Sequence, residues 1–117
     1  MKLDNDNLEV GFRLWIKGKS GNFLGEGRVC LLEKIEETGS IREAASSLKM
    51  SYQKAWKLMD IMNHQSTEPL IEKTAGGKKG GGTRLTAVGK EWVKLYRQWK
   101  TACELSVKQN FEKLRGA

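Results

Sequence analysis

One proline, one histidine and two cysteines are all that 117 residues contain of those types, and each scarcity closes off a class of protein. A lone proline beside 38% apolar residues fits a helix-rich globular domain and not a disordered chain. Neither Cys30 nor Cys103 belongs to a CxxC pair, and His64 stands alone. The usual zinc spacings and a histidine-based catalytic triad are therefore excluded. Both cysteines fall on apolar faces of expected helices, which predicts buried free thiols in a reducing cytosol. No apolar run approaches the roughly 20 residues of a membrane span, and no charged-then-apolar leader opens the chain. The expectation is a cytoplasmic protein without membrane contact. No nucleophile, base or metal constellation appears, so neither an enzyme nor a cofactor is expected. The length suits one domain that buries a core unaided.

Positive charge is plentiful and unevenly placed. The net charge is +7. Residues 40–100 hold 12 Lys/Arg against 5 Asp/Glu, and the remainder holds 9 of each. All of the excess lies in one segment, which is the footprint of a polyanionic partner. A solvated surface that happens to be basic is the plainer alternative, and the motifs weigh against it.

Residues 1–9, with Asp4, Asn5, Asp6 and Asn7, predict a flexible acidic tail. Val10 to Gly18 alternates as a strand does, with Phe12, Leu14 and Ile16 on one face and Arg13, Trp15 and Lys17 on the other. Lys19–Asn22 is a turn, and Phe23-Leu24 begins a short return strand. The period changes at Glu26, where Val29, Leu32 and Ile35, with Leu31 beside them, mark a helix that Gly39 ends. Ser40-Ile-Arg-Glu43 matches a capping box, with Ser40 capping the helix and Glu43 reaching back to the Ser40 amide. That helix carries Ala44, Ala45 and Leu48, small residues where a second helix must come close. Lys49-Met50 turn the chain, and Ser51 caps a helix from about Tyr52 to His64 whose inward stripe is Ala55, Leu58, Met59 and Met62.

Two short helices joined by a tight turn make a helix-turn-helix, whose second helix presents its N-terminal residues to base edges in a major groove. Those residues are Ser51, Tyr52, Gln53, Lys54 and Lys57. Gln53 has the donor and acceptor pair that grips adenine, and Lys54 or Lys57 donates to guanine O6 and N7. Tyr52 and Trp56 offer flat surfaces to sugar or thymine methyl groups; Trp56 lies one step from the apolar stripe, so a core position is equally open. Ser51 and the amides behind it suit a phosphate. Arg42 is a phosphate contact or a solvated charge, and His64 a capping or packing residue.

Downstream, Leu70–Lys73 and Thr83–Leu85 are two hairpin arms around a tip with five glycines and with Lys78 and Lys79. Glycine lets a backbone lie close against another surface, and two adjacent lysines repel each other unless an anion lies there. The tip, with Arg84 on the return arm, predicts a wing that adds affinity more than sequence choice. A disordered linker is disfavoured by the apolar arms. A nucleotide-binding loop of the GxxxxGK[ST] type is excluded, because Gly82 occupies the lysine position counted from Gly76.

Thr86 caps a last helix from Ala87 to about Leu114, which at 1.5 Å per residue spans about 42 Å. Its apolar positions Val88, Trp92, Leu95, Trp99 and Ala102 step by four and three, as in a helix-packing seam. Beyond them the stripe drifts to Cys103, Val107, Phe111 and Leu114. A helix that overhangs a domain of this size predicts dimerisation with a second copy, against packing on the first strand and helix within one chain.

Gly39-Ser-Ile41, Ala44-Ala45, Ser51-Tyr52 with Ala55-Trp56, Met62-Asn63, Gly76-Gly77-Lys78 with Gly80–Gly82, and Leu85-Thr86 with Gly89 closely resemble the DNA-binding half of ModE-type molybdate-responsive transcriptional regulators, a LysR-like winged helix. The resemblance covers about residues 26–100. It implies a dimer on a palindromic operator, with Ser51–Lys57 as the reading helix and Lys78–Thr83 as the wing tip. Lys49 stands where that turn commonly has glycine, which requires a polar residue in the left-handed conformation. Family members that sense molybdate carry a second, oxyanion-binding domain after the long helix. Nothing up to Ala117 looks like that domain, so molybdate sensing is not part of the expectation.

The expected fold is mainly α with a small β component. It divides into a tail (1–9), a winged helix-turn-helix (10–86, wing 70–86) and a long C-terminal dimerisation helix (87–117). The expected site is Arg42, Ser51, Tyr52, Gln53, Lys54, Trp56, Lys57, Lys78, Lys79, Thr83 and Arg84. The expected function is a homodimeric, sequence-specific regulator of double-stranded DNA, controlled if at all by an effector or a partner protein. The alternative is a protein-interaction module or a nonspecific architectural DNA binder. Steeply salt-dependent affinity for duplex DNA separates DNA binding from protein interaction.

Overall fold

The computed structural model describes residues 2–75 and 82–116. In chain order it contains β1 (Trp15–Gly18), β2 (Gly21–Gly25), α1 (Glu26–Thr38), α2 (Ile41–Ser47), α3 (Tyr52–Gln65), β3 (Ile71–Thr74), β4 (Gly82–Leu85) and α4 (Ala87–Arg115). The strands form two antiparallel hairpins, β1–β2 and β3–β4. None of the described helices is long and apolar enough to cross a membrane.

The first hairpin is shorter than the alternation from Val10 predicts. Only Trp15–Gly18 pairs, because Trp15 already faces Gly25 and α1 begins at the next residue. Phe12, Leu14 and Ile16 are nevertheless half-buried while Arg13, Trp15 and Lys17 are exposed. Residues ahead of β1 run beside α4, where the Tyr96 hydroxyl donates to the Leu14 carbonyl at 2.9 Å. The tail is fastened further out, since the Leu3 amide donates to the Arg115 carbonyl at 2.9 Å and Arg115 Nη1 to the Asn5 carbonyl at 3.0 Å.

Local chemistry ends each helix where it must. Gly39 closes α1 with φ 72°, and its amide donates to the Ile35 carbonyl. The Glu43 amide donates to Ser40 Oγ at 3.1 Å, so half of the capping box forms. The other half does not: the turn at Gly39 brings the Ser40 amide to Thr38 Oγ1 at 3.2 Å, and Glu43 is not needed there. Lys49 takes the left-handed conformation at φ 57°, a strain of about 1–2 kcal/mol for a residue with a Cβ. Hydrogen bonds from Lys49 to Ser46 and from Met50 to Ala45 hold that turn. Ser51 Oγ then accepts from the Lys54 amide at 3.1 Å, and Thr86 Oγ1 accepts from the Gly89 amide at 3.0 Å.

The core gathers Leu24, Val29, Leu31, Leu32, Ile35, Ala44, Ala45, Ala55, Met62, Leu70, Ile71, Leu85 and Tyr96, all essentially solvent-free. Burying such side chains is the main favourable term, about 25 cal/mol for each Å² of apolar surface. Ala44 and Ala45 allow α2 to approach α3 closely. The wing is tied to α1 and its cap and to α3. The Thr83 amide donates to the Gly39 carbonyl at 2.9 Å, and the Leu85 amide to Glu36 Oε2 at 2.8 Å. Asn63 of α3 accepts from the Leu70 and Ile71 amides at 2.9 and 3.2 Å and returns a bond to the Ile71 carbonyl at 3.1 Å.

Arg97 of α4 reaches two carboxylates on α1, Glu33 at 3.1 Å through Nε and Glu26 at 2.7 Å. Its hydrogen bond to Glu33 is the main reason its guanidinium is held even more firmly protonated than usual. Burial pushes the Glu26 carboxyl up, but hydrogen bonds from Arg97 and Lys100 outweigh it and hold the group below its ordinary 4.5. This cluster corrects the expected burial of Cys30. The thiol is half-buried and free, with Sγ 3.7 Å from Glu26 Oε1 and 3.6 Å from Arg97 Nη2, because a polar bridge to α4 occupies that face of α1. Cys103 is likewise free and only half-buried.

Candidate nucleic-acid interface

The helical period of α3 sends Ala55, Met59 and Met62 into the core and turns the opposite side outward. Ser51, Tyr52, Gln53, Lys54, Trp56 and Lys57 are all exposed. Trp56 is 44% exposed, which resolves the two readings of that residue in favour of the surface. Gln53 and Lys57 lie four residues apart, so one outer strip of α3 carries both. Its next turn brings Asp60, a half-exposed carboxylate 3.3 Å from His64 Nδ1. Asp60 escaped sequence reasoning, although the steps from Gln53 and Trp56 point to it. An acidic group limits how much of the strip can lie against phosphate and leaves a hydrogen-bond acceptor at its far end.

Beside the strip lies an open groove of about 400 Å³ between the start of α2, the outer side of α3 and the base of the wing. Arg42 and Tyr52 line it, with the guanidinium 4.4 Å from the centre of the tyrosine ring. Trp56, Lys73 and Thr74 complete its walls. Lys73 is a further cation that sequence reasoning passed over; it stands opposite Thr83 in the hairpin and is exposed even though alternation puts it on the Ile71 side of β3.

Arg84 is exposed on β4 and faces Glu72 across the hairpin, with its Nε 2.9 Å from the carboxylate. Its charge is thus shared with an acid on the neighbouring strand. Thr83 departs from the expected arrangement. Strand alternation puts it on the inward side with Leu85, where it is 8% exposed. It lines the floor of the groove instead of standing on the surface, and among the described residues its buried Oγ1 has no hydrogen-bond partner. Lys78 and Lys79 lie outside the described residues.

A second surface runs along α4. Leu95, Trp99 and Ala102 are exposed, and Val88 and Trp92 are half-buried. Trp92 meets Phe23 edge to face at 5.1 Å, so the seam is partly used within the chain. An apolar groove lined by Val88, Trp92 and Leu95 remains open beside it. No group of three or more His, Cys, Asp or Glu that could hold a metal occurs among the described residues.

No family model matches the chain. It is 47% identical over 77 residues to the molybdenum transport protein ModE of Azotobacter vinelandii, covering 66% of this chain and 28% of that protein. It is 43% identical over 83 residues to the transcriptional regulator ModE of Haemophilus influenzae, covering 71% and 32%. This chain is ModE-like. A third relative, the DNA-binding transcriptional dual regulator ModE of Escherichia coli, is 37% identical over 89 residues, 76% of this chain and 34% of that protein. The ModE-like chain thus matches about a third of the length of these relatives. Among solved structures, the DNA-binding domain of CbnR in complex with DNA superposes with a TM-score of 0.57 at 19% identity, over 76% of this chain and 97% of that one. That likeness establishes the winged-helix fold.

Proposed function

We propose that this ModE-like chain is a sequence-specific, double-stranded-DNA-binding transcriptional regulator that acts in the cytoplasm as a homodimer on a palindromic operator. The observation that carries the reading is the outer strip of α3. Gln53 and Lys57 stand there on the exposed start of the helix, Lys57 without an ion pair among the described residues, flanked by the groove that Arg42 and Lys73 share. A helix of this diameter fits a major groove, and these side chains match the donor and acceptor patterns of adenine and guanine edges. Arg84, with Lys78 and Lys79 of the wing, supplies affinity that is indifferent to sequence.

Support for the regulator part comes from the relatives, two of which are named as transcriptional regulators and one as DNA-binding. For the dimer, the exposed face of Leu95, Trp99 and Ala102 on α4 is a seam with the spacing of helix pairing. Two copies joined there would present two reading helices, and a two-fold dimer reads an inverted repeat with half-sites about one helical turn, or a multiple of it, apart.

Selection of bound sequences from a random duplex pool, at two salt concentrations, tests the proposal. An enriched inverted repeat supports a dimeric, sequence-specific regulator, and its spacing gives the distance between the reading helices. Salt-sensitive retention without enrichment would replace this reading by an architectural DNA binder. No retention at either salt would replace it by a protein-interaction module.

A further inference from the structure

The groove beside α3 has features that a solvated charged surface does not need. Arg42 lies over the Tyr52 ring at 4.4 Å, a stacking that holds a long, rotamer-rich cation in one place. Arg42 forms no ion pair among the described residues, and Lys73 on the opposite wall is exposed and forms none either. Trp56 presents an indole that is 44% exposed. Thr83 also lines the floor, although its Oγ1 is fully buried and is not offered to the groove.

We propose that this groove seats a single backbone phosphodiester of the bound duplex, with Arg42 and Lys73 on its phosphate oxygens and the Trp56 face against its deoxyribose. Tyr52 is then a positioning residue that acts through Arg42, and not a reader of bases. The inference rests on the DNA-binding reading and adds to it where one strand lies relative to α3. Two unpaired cations, one from α2 and one from β3, and an aromatic face suit a phosphate joined to a flat-sided sugar. A protein carboxylate would meet the same cations but would leave the indole without a partner.

The test uses the full chain and a duplex taken from the selection. Affinity is measured over a range of salt, with thermal melting to confirm that each variant folds. Arg42→Ala combined with Lys73→Ala is expected to lower the magnitude of the slope of log affinity against log salt by about 0.9 for each half-site, hence about 1.8 for a dimer on its operator, at the value of about 0.9 for one phosphate of B-form DNA. A fall of about 1.8 for each half-site, hence about 3.6 for the dimer, would mean two separate phosphates per groove and would overturn the shared site. A scan with neutral methylphosphonate linkages should find one position per half-site that weakens the native chain and leaves the double variant unaffected. No such position would overturn the proposal. Tyr52→Phe keeps the stack and should bind as the native chain does. Tyr52→Leu should weaken binding as Arg42→Ala does, and joining it to Arg42→Ala should cost nothing more. Additive losses would show that Tyr52 touches DNA itself. If the native chain retains no duplex, the DNA-binding reading falls together with this one. If it binds and the groove variants bind equally well, only this one falls.

Discussion

A Cβ built on Gly89 would lie 2.1 Å from the carbonyl oxygen of Leu70. The first turn of α4 therefore rests directly on the backbone that enters the wing. The same carbonyl accepts from the Thr86 amide at 2.9 Å, and Thr86 Oγ1 donates to Pro69 at 2.6 Å. Alanine is the better helix former by about 1 kcal/mol, so Gly89→Ala sets propensity against collision. The obstacle is backbone and cannot rotate away, so the collision wins. The expected result is a net loss of about 1–3 kcal/mol in urea denaturation. Unchanged or increased stability would mean that α4 can lift off the wing at little cost.

Asn63 makes the other junction, between α3 and β3. Asn63→Ala removes an acceptor from two amides and a donor from one carbonyl at a half-buried place. Each group left unpaired costs about 1–3 kcal/mol when water cannot replace the partner. Amide exchange at Leu70 and Ile71 should quicken well before that of Leu32 or Ile35 in the core, and equal acceleration throughout would indicate loss of the whole fold.

Gln53→Ala and Lys57→Ala are expected to reduce discrimination between the selected sequence and a scrambled one by about 1–3 kcal/mol for each lost base contact. Lys78→Ala together with Lys79→Ala should weaken both duplexes alike. Competition binding with the two duplexes reads this directly, and the reverse pattern would exchange the roles of helix and wing.

The seam on α4 is tested at Leu95 and Ala102, both exposed, and not at Trp92, which packs on Phe23. Leu95→Glu with Ala102→Glu should halve the mass seen by sedimentation while changing subunit stability by no more than about 0.5 kcal/mol per site. A native chain that is already monomeric at high concentration would remove the homodimer.

Acid should loosen α4 from α1. Glu26 has its carboxyl held below the ordinary 4.5 in the folded chain, with Arg97 and Lys100 outweighing burial. A lowered folded-state value adds stability above 4.5 and loses it as pH falls through that value. The native chain should therefore lose stability more steeply than Glu26→Gln on going from neutral pH to below 4.5. Parallel curves for the two proteins would show that Glu26 contributes nothing to acid sensitivity.

Helix ends were the most legible part of this chain, since caps are settled by atoms a few residues apart. The bounds of α1, the left-handed Gly39, and the caps at Ser40, Ser51 and Thr86 all follow from local hydrogen bonding, whereas the left-handed Lys49 was implied by the family resemblance. Residues whose role is set by distant partners were not legible in this way. Asn63 bonds seven and eight residues ahead, and Arg97 reaches 64 and 71 positions back. The extent of β1 depended on how soon β2 gave way to α1. The exposed half of α3 could be read because its period is regular. Thr83 shares the inward face of Leu85, two residues on, and Asp60 follows Gln53 and Trp56 by seven and four residues on the outer side of α3.

β4 ends at Leu85 and α4 begins at Ala87, which leaves Thr86 as the whole connection, and Thr86 is itself fixed to Pro69 and Leu70. There is no slack between the wing and the long helix. If two such helices pair, they act as a ruler. The angle at which they cross sets how far apart the two wings stand and which way each faces, and spacing errors in the DNA must be absorbed by the duplex.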